Sequence, residues 1–142
     1  MTSPFHLAFS VHNLSSTRQF YGELLECKEG RSTDHWIDWD FFGHQISTHL
    51  SQTKDGKTFE YSAVEACEVP IPHFGVILPW EDWLSLKQRL ETQAIVPDFS
   101  FLIAPQIRYE GKVGEQGTMF FFDPSGNALE FKSFRDSSAN FA

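Results

Sequence analysis

Two histidines and one glutamate, each on its own β-favouring run, are the residues of this chain whose types and spacing could do chemistry. Pro4-Phe5-His6-Leu7-Ala8-Phe9 and Pro72-His73-Phe74-Gly75-Val76-Ile77 look like copies of one strand, each opened by proline and carrying one imidazole among apolar residues. Gly126-Asn127-Ala128-Leu129-Glu130-Phe131-Lys132 is a third such run, with a carboxylate between Leu129 and Phe131. Two imidazoles and one carboxylate hold a divalent metal while leaving coordination positions open, as in non-haem Fe(II) sites. An ionised Glu130 in apolar company needs a compensating partner. A metal ion shared with His6 and His73 is one such partner. An ion pair with Lys132 or Arg108 is the other, and would leave no metal site.

The bulk properties frame what such a site could serve. The chain has 142 residues, 41% of them hydrophobic and 15% aromatic, which suits one folded domain with a real core. Its formal net charge of −8, with only 11 scattered Lys and Arg, argues against nucleic acid, because phosphate binding needs clustered cations. No apolar run approaches the roughly 18 residues that a membrane span requires. Nothing in Met1-Thr2-Ser3-Pro4-Phe5-His6 marks a signal peptide, so a cytoplasmic location is expected. Cys27 and Cys67 lack the spacing of a zinc finger or a disulfide framework and are expected as reduced thiols.

The elements that must position the three side chains come twice in the same order. In residues 5–11, His6, Ala8 and Ser10 alternate with Phe5, Leu7, Phe9 and Val11, so one strand face is small and polar and the other large and apolar. Asn13 to Ser16 offers helix caps, and Phe20, Tyr21, Leu24 and Leu25 then follow helical spacing, with Gly22 among them. Short strands are expected at 31–32, 36–41 and 44–50, the last two joined at Phe42-Gly43. Residues 51–70 read as a long polar connection. The second half repeats the pattern: a strand at 73–78, a helix at 80–92, and strands at 99–103, 106–110, 118–122 and 128–134. Asp123-Pro124-Ser125-Gly126 has good turn chemistry. Strand, helix and three strands, repeated, predict an α+β fold of two βαβββ modules. Their mixed sheet curves around a cleft, with the helices on the outer face.

At this point the chain resembles the vicinal oxygen chelate superfamily, which includes glyoxalase I, extradiol dioxygenases, fosfomycin-modifying enzymes and bleomycin-binding proteins. The resemblance rests on residues 4–11, Phe-Gly-His-Gln at 42–45, Pro-His-Phe-Gly-Val at 72–76 and Asp-Pro-Ser-Gly-Asn-Ala-Leu-Glu-Phe-Lys at 123–132. It spans nearly all of residues 1–142 as one domain, with module one at 4–50, a connection at 51–70 and module two at 71–135. It is nearest to small proteins described as predicted extradiol dioxygenases. The resemblance implies His6, His73 and Glu130 as metal ligands. A fourth metal position, or a proton-moving histidine, would lie among Gln45, Ser47 and His49, and His49 matches the catalytic histidine best. One departure stands out. Extradiol enzymes carry a tyrosine on the strand before the carboxylate strand, where this chain has Thr118, Phe120 and Phe122; Tyr109 lies further back.

Three functions follow as expectations. The first is extradiol-type ring cleavage of a small catechol or another bidentate oxygen ligand, with Fe(II) as the favoured metal. The second is glyoxalase-like isomerase or transferase chemistry, with Zn, Ni or Mn as a Lewis acid. The third is metal-free sequestration of a small aromatic molecule, as in resistance proteins. A homodimer is an arrangement the resemblance allows. Among the other residues, His44 is expected to be structural and His12 and His35 solvated. Trp36, Trp39, Phe41 and Phe42 line either a cavity or the core, and Gly114-Glu115-Gln116 is either a pocket rim or a plain turn.

Overall fold

The first strand shows the alternation its sequence predicts. In β1 (His6–Val11) the residues His6, Ala8 and Ser10 are exposed, while Leu7, Phe9 and Val11 turn inward. The computed structural model describes residues 3–51, 60–64, 67–92 and 99–142. Asn13 caps α1 (Leu14–Thr17), its Oδ1 accepting the Ser16 N–H at 2.7 Å. The helix then widens into a π-helical segment over Arg18–Leu24, where the Leu25 N–H reaches the Phe20 carbonyl at 3.0 Å. Sequence spacing predicts an ordinary helix here. The wider turn still buries Phe20, Tyr21 and Leu24, and Gly22 faces the Trp39 ring, where a Cβ would stand 3.3 Å away.

Three more strands complete this unit: β2 (Lys28–Ser32), β3 (Trp36–Phe41) and β4 (His44–Leu50), in the order β1-β4-β3-β2. β1 runs parallel to β4, and β3 and β4 form an antiparallel hairpin. Phe42 and Gly43 both take positive φ, +55° and +87°, as a two-residue primed turn requires. Ile37, Trp39, Phe41, Ile46 and Thr48 pack inward with the helical residues, and the Trp39 indole N–H donates to Thr48 Oγ1 at 3.1 Å. The turn at residues 123–126 groups with this unit. There the buried Tyr21 hydroxyl donates to the buried Asp123 carboxylate at 2.8 Å.

The second unit begins with a hairpin, β5 (Glu60–Val64) and β6 (Cys67–Ile71). The expectation of an irregular connection is therefore corrected over these residues; its stretch at 52–59 lies outside the described residues. Pro70 hid β6, since proline speaks against a central strand but is tolerated in a two-stranded ribbon. A four-stranded sheet follows, in the order β7-β10-β9-β8: β7 (Phe74–Ile77), β8 (Phe101–Arg108), β9 (Gln116–Phe122) and β10 (Ala128–Phe134). β8 is one strand rather than the expected two, with its pairing irregular between Ile103 and Gln106, around Pro105. Tyr109 falls just past its end, at φ +56°.

α2 (Trp80–Thr92) spans the expected residues and buries Trp83, Leu86 and Leu90. Its first turn carries Glu81 and Asp82 and its last turn Arg89, in accord with the helix dipole. Trp83 fixes α2 to the sheet by donating from its indole N–H to the Phe131 carbonyl at 2.9 Å. Its ring covers Gly117, where a Cβ would lie 2.8 Å from it. Both units thus have the strand, helix and three-strand plan, with a helix covering one sheet face.

Candidate metal-binding site

β7 and β10 run parallel, and their register sets Gly75 opposite Glu130. The approach is so close that a Cβ at Gly75 would stand 1.5 Å from the Glu130 carbonyl oxygen, so only glycine fits. His73, just before β7, comes beside Glu130 as a result, with Nε2 at 3.4 Å from Oε1. The other atoms of both side chains are engaged. His73 Nδ1 lies 2.7 Å from the Pro70 carbonyl, and the Thr118 hydroxyl donates to Glu130 Oε2 at 2.6 Å. The Phe120 ring stands edge-on to the imidazole at 5.0 Å. His73, Gly75, Glu130 and Lys132 line a hollow of about 210 Å³ here.

These bonds fix the chemistry of the pair. A carbonyl only accepts, so Nδ1 of His73 carries a proton, and in the neutral form of the ring Nε2 offers a lone pair. Glu130 Oε1 offers another. Two acceptors aimed into one space are satisfied by a donated proton or by a metal ion between them. A separation of 3.4 Å exceeds the roughly 2.7–2.9 Å of a charge-assisted hydrogen bond. It suits two ligands that each bond one ion at about 2.1 Å. Metal-binding histidines characteristically donate their second ring N–H to a carbonyl or carboxylate. The donor set fits a divalent metal. Lys132, one of the ion-pair partners considered for Glu130, has its Nζ 5.7 Å from the Phe134 ring centre.

In the first unit His6 is exposed on the open sheet face, with Nδ1 at 2.8 Å from Gln45 Oε1. It borders a cavity of about 560 Å³ that Phe5, Arg31, Asp38, Asp40 and Gln45 also line. Asp38 is buried, accepts the Ser47 hydroxyl at 2.5 Å and lies 3.7 Å from the exposed Arg31. The strand register sets three rows across this face: His6–Gln45–Asp40, Ala8–Ser47–Asp38 and Ser10–His49–Trp36. His49 is exposed, its ring 6.4 Å from that of Trp36. His6 and His49 share a face, but four residues of strand rise separate their rows, about 13 Å. Among the described residues, no group of three or more His, Cys, Asp or Glu side chains is gathered closely enough to hold a metal ion.

The remaining histidines sort by their hydrogen bonds. His44 accepts the Phe5 N–H on Nδ1 at 2.7 Å, so its Nε2 carries the proton and it serves structure, as expected. His12 is no merely solvated side chain. Its Nε2 lies 2.7 Å from the Pro124 carbonyl, and its backbone N–H donates to Ser125 Oγ at 2.9 Å. Trp39 and Phe41 belong to the core, while Trp36 stays partly exposed on the open face.

Solved structures share this fold. A glyoxalase/bleomycin resistance protein/dioxygenase from Alicyclobacillus acidocaldarius is 30% identical, with a TM-score of 0.76 over 99% of this chain and 97% of that one. The chain belongs to that family. It is thereby a member of the vicinal oxygen chelate superfamily. The fosfomycin resistance protein FosX from Listeria monocytogenes shares the fold at 15% identity and a TM-score of 0.64, covering 94% of this chain and 93% of that one. So does an integron cassette protein from the mobile metagenome of V. Cholerae, at 22% identity and a TM-score of 0.59, covering 94% and 95%. No sequence-family model matches the chain, and no curated protein matches it.

Within this family fold the two registers can be laid side by side. His6 corresponds to His73 and Ala8 to Gly75, so the partner of Ala8, Ser47, corresponds to Glu130. The first unit thus has a hydroxyl, bonded to Asp38, where the second has a carboxylate. The sequence places Gln45 beside Ser47 and His49 as a candidate and marks Thr118 where a tyrosine is expected, but the contact each makes with a proposed ligand is set by register, not by local pattern.

Proposed function

We propose that the chain is a divalent-metal-dependent enzyme acting on a small molecule with two vicinal oxygens, by extradiol-type ring cleavage of a catechol. The observation that carries this is the facing pair of acceptors, His73 Nε2 and Glu130 Oε1, each with its other polar atom tied down. His6 is proposed as the third ligand. Ser47 at the position equivalent to Glu130 supports a set of two histidines and one carboxylate, rather than one with a second carboxylate. His6, His73 and Glu130 would hold the metal, and Fe(II) there would supply the redox chemistry for reaction of a catechol with O₂.

The chain's own residues do the rest. Thr118 holds Glu130 Oε2, so that Oε1 stays aimed at the shared space. The Pro70 carbonyl keeps the proton of His73 on Nδ1. His49 is proposed to accept a substrate proton, a task suited to imidazole near neutral pH. Its row lies about 13 Å along the strand from that of His6, so the transfer needs a substrate or a chain of hydrogen-bonding groups that spans the two rows.

Anaerobic purification followed by elemental analysis of wild type and Glu130→Ala tests the metal. Wild type should retain stoichiometric metal and the variant should lose it; equal retention ends the proposal. Oxygen uptake with a panel of catechols, after loading with Fe(II), Zn(II), Ni(II) or Mn(II), tests the reaction. Uptake with Fe(II) alone is expected. Retained metal without uptake removes ring cleavage and leaves Lewis-acid chemistry.

A further inference from the structure

We infer that Gln45 is a positioning residue that holds the His6 imidazole in its Nδ1–H form, so that Nε2 is presented as a metal ligand; this rests on the metal reading above. Gln45 Oε1 lies 2.8 Å from His6 Nδ1, and the parallel register of β1 and β4 sets the two residues directly across from one another. The amide oxygen accepts, and Nδ1 therefore donates. The contact does for His6 what the Pro70 carbonyl does for His73, where the 2.7 Å bond leaves Nε2 facing Glu130. His44 makes the contrast. It too sits at the edge of the cavity, but it receives a backbone N–H on Nδ1 and so keeps its proton on Nε2, closed to a metal.

The two tethers differ in kind. That of His73 is main chain; that of His6 is an exposed side chain with rotational freedom. Each metal-binding histidine loses affinity when the group that orients it is removed, by roughly 10–100-fold. In this chain only the first histidine is open to that loss by substitution. A carboxylate at position 45 would accept the same proton more strongly, so Glu should replace Gln without loss while Ala or Leu should not.

The test is a cobalt(II) affinity titration, against a competing chelator, of wild type, Gln45→Ala, Gln45→Leu, Gln45→Glu and His73→Ala. Ring ¹⁵N NMR of the metal-free proteins at a pH where His6 is neutral accompanies it. Gln45→Ala and Gln45→Leu should bind cobalt roughly 10–100-fold more weakly, with Gln45→Glu at wild-type affinity or tighter. The ¹⁵N shifts of His6 should report the proton on Nδ1 in wild type and a mixture of both forms in Gln45→Ala. A proton on Nε2 of His6 in wild type overturns the inference. So does unchanged affinity in Gln45→Ala beside weakened His73→Ala, which spares the metal centre. Equal affinity in wild type and His73→Ala overturns both.

Discussion

At the scale of single residues, the fate of three histidines is decided by what meets Nδ1: a carbonyl at His73, an amide oxygen at His6, a backbone N–H at His44. The same logic of buried partners governs Tyr21. Burial, reinforced by the charge of Asp123, raises its pKa well above 10.0, so the hydroxyl stays a donor to that carboxylate. Tyr21→Phe removes the donor from a buried acceptor and should cost about 1–3 kcal/mol in urea denaturation at neutral pH. Because the folded pKa lies above the unfolded one, the contribution is complete below about pH 10 and declines as pH rises toward the folded value. The alkaline loss of stability should therefore be shallower in Tyr21→Phe than in wild type. His6, His73 and Glu130 stood out in the sequence because a polar group in an apolar run is conspicuous. The bonds of Gln45 to His6 and of Thr118 to Glu130 did not, since what a strand residue meets is unknown until the neighbouring strand is.

Elements carried most of what the sequence made legible. Trp36–Phe41, His44–Leu50, Trp80–Thr92 and Ala128–Phe134 begin and end where pattern and turn residues predict. Prolines caused two of the differences, hiding the β6 strand at Pro70 and splitting β8 at Pro105, because local rules treat proline as a breaker whatever its sheet position. The widening of the first helix had no signal at all in the spacing of its apolar residues. Strand pairing is the deeper limit. Nothing local states that Gly75 lies against Glu130, yet that approach carries the carboxylate to His73. Gly75→Ala should force β7 and β10 apart, costing about 1–3 kcal/mol or more. It should also weaken metal binding, although residue 75 is no ligand. Thermal melts of the metal-free protein and a cobalt titration would show both losses. A variant that melts and binds as wild type would refute the role given to this glycine.

For the whole molecule, a metal bound only by the folded state is a stabiliser. Free metal at 100 times its Kd should add about 2.7 kcal/mol, seen as a melting temperature that climbs with metal and falls on chelation. His73→Ala should be indifferent to either. The formal charge of −8 favours the approach of cations, so uptake should slow as salt is added. No helix among the described residues is long and apolar enough to cross a membrane. The tether on His73 also bears on how this architecture can drift over generations. Every amino acid brings a backbone carbonyl, so exchanging the side chain at position 70 leaves that acceptor available wherever the local chain path survives. A single base change turns a glutamine codon into one for glutamate, leucine, lysine or arginine. A lineage can therefore retune or silence one half of its metal grip at codon 45, while the other half is inherited with the fold itself.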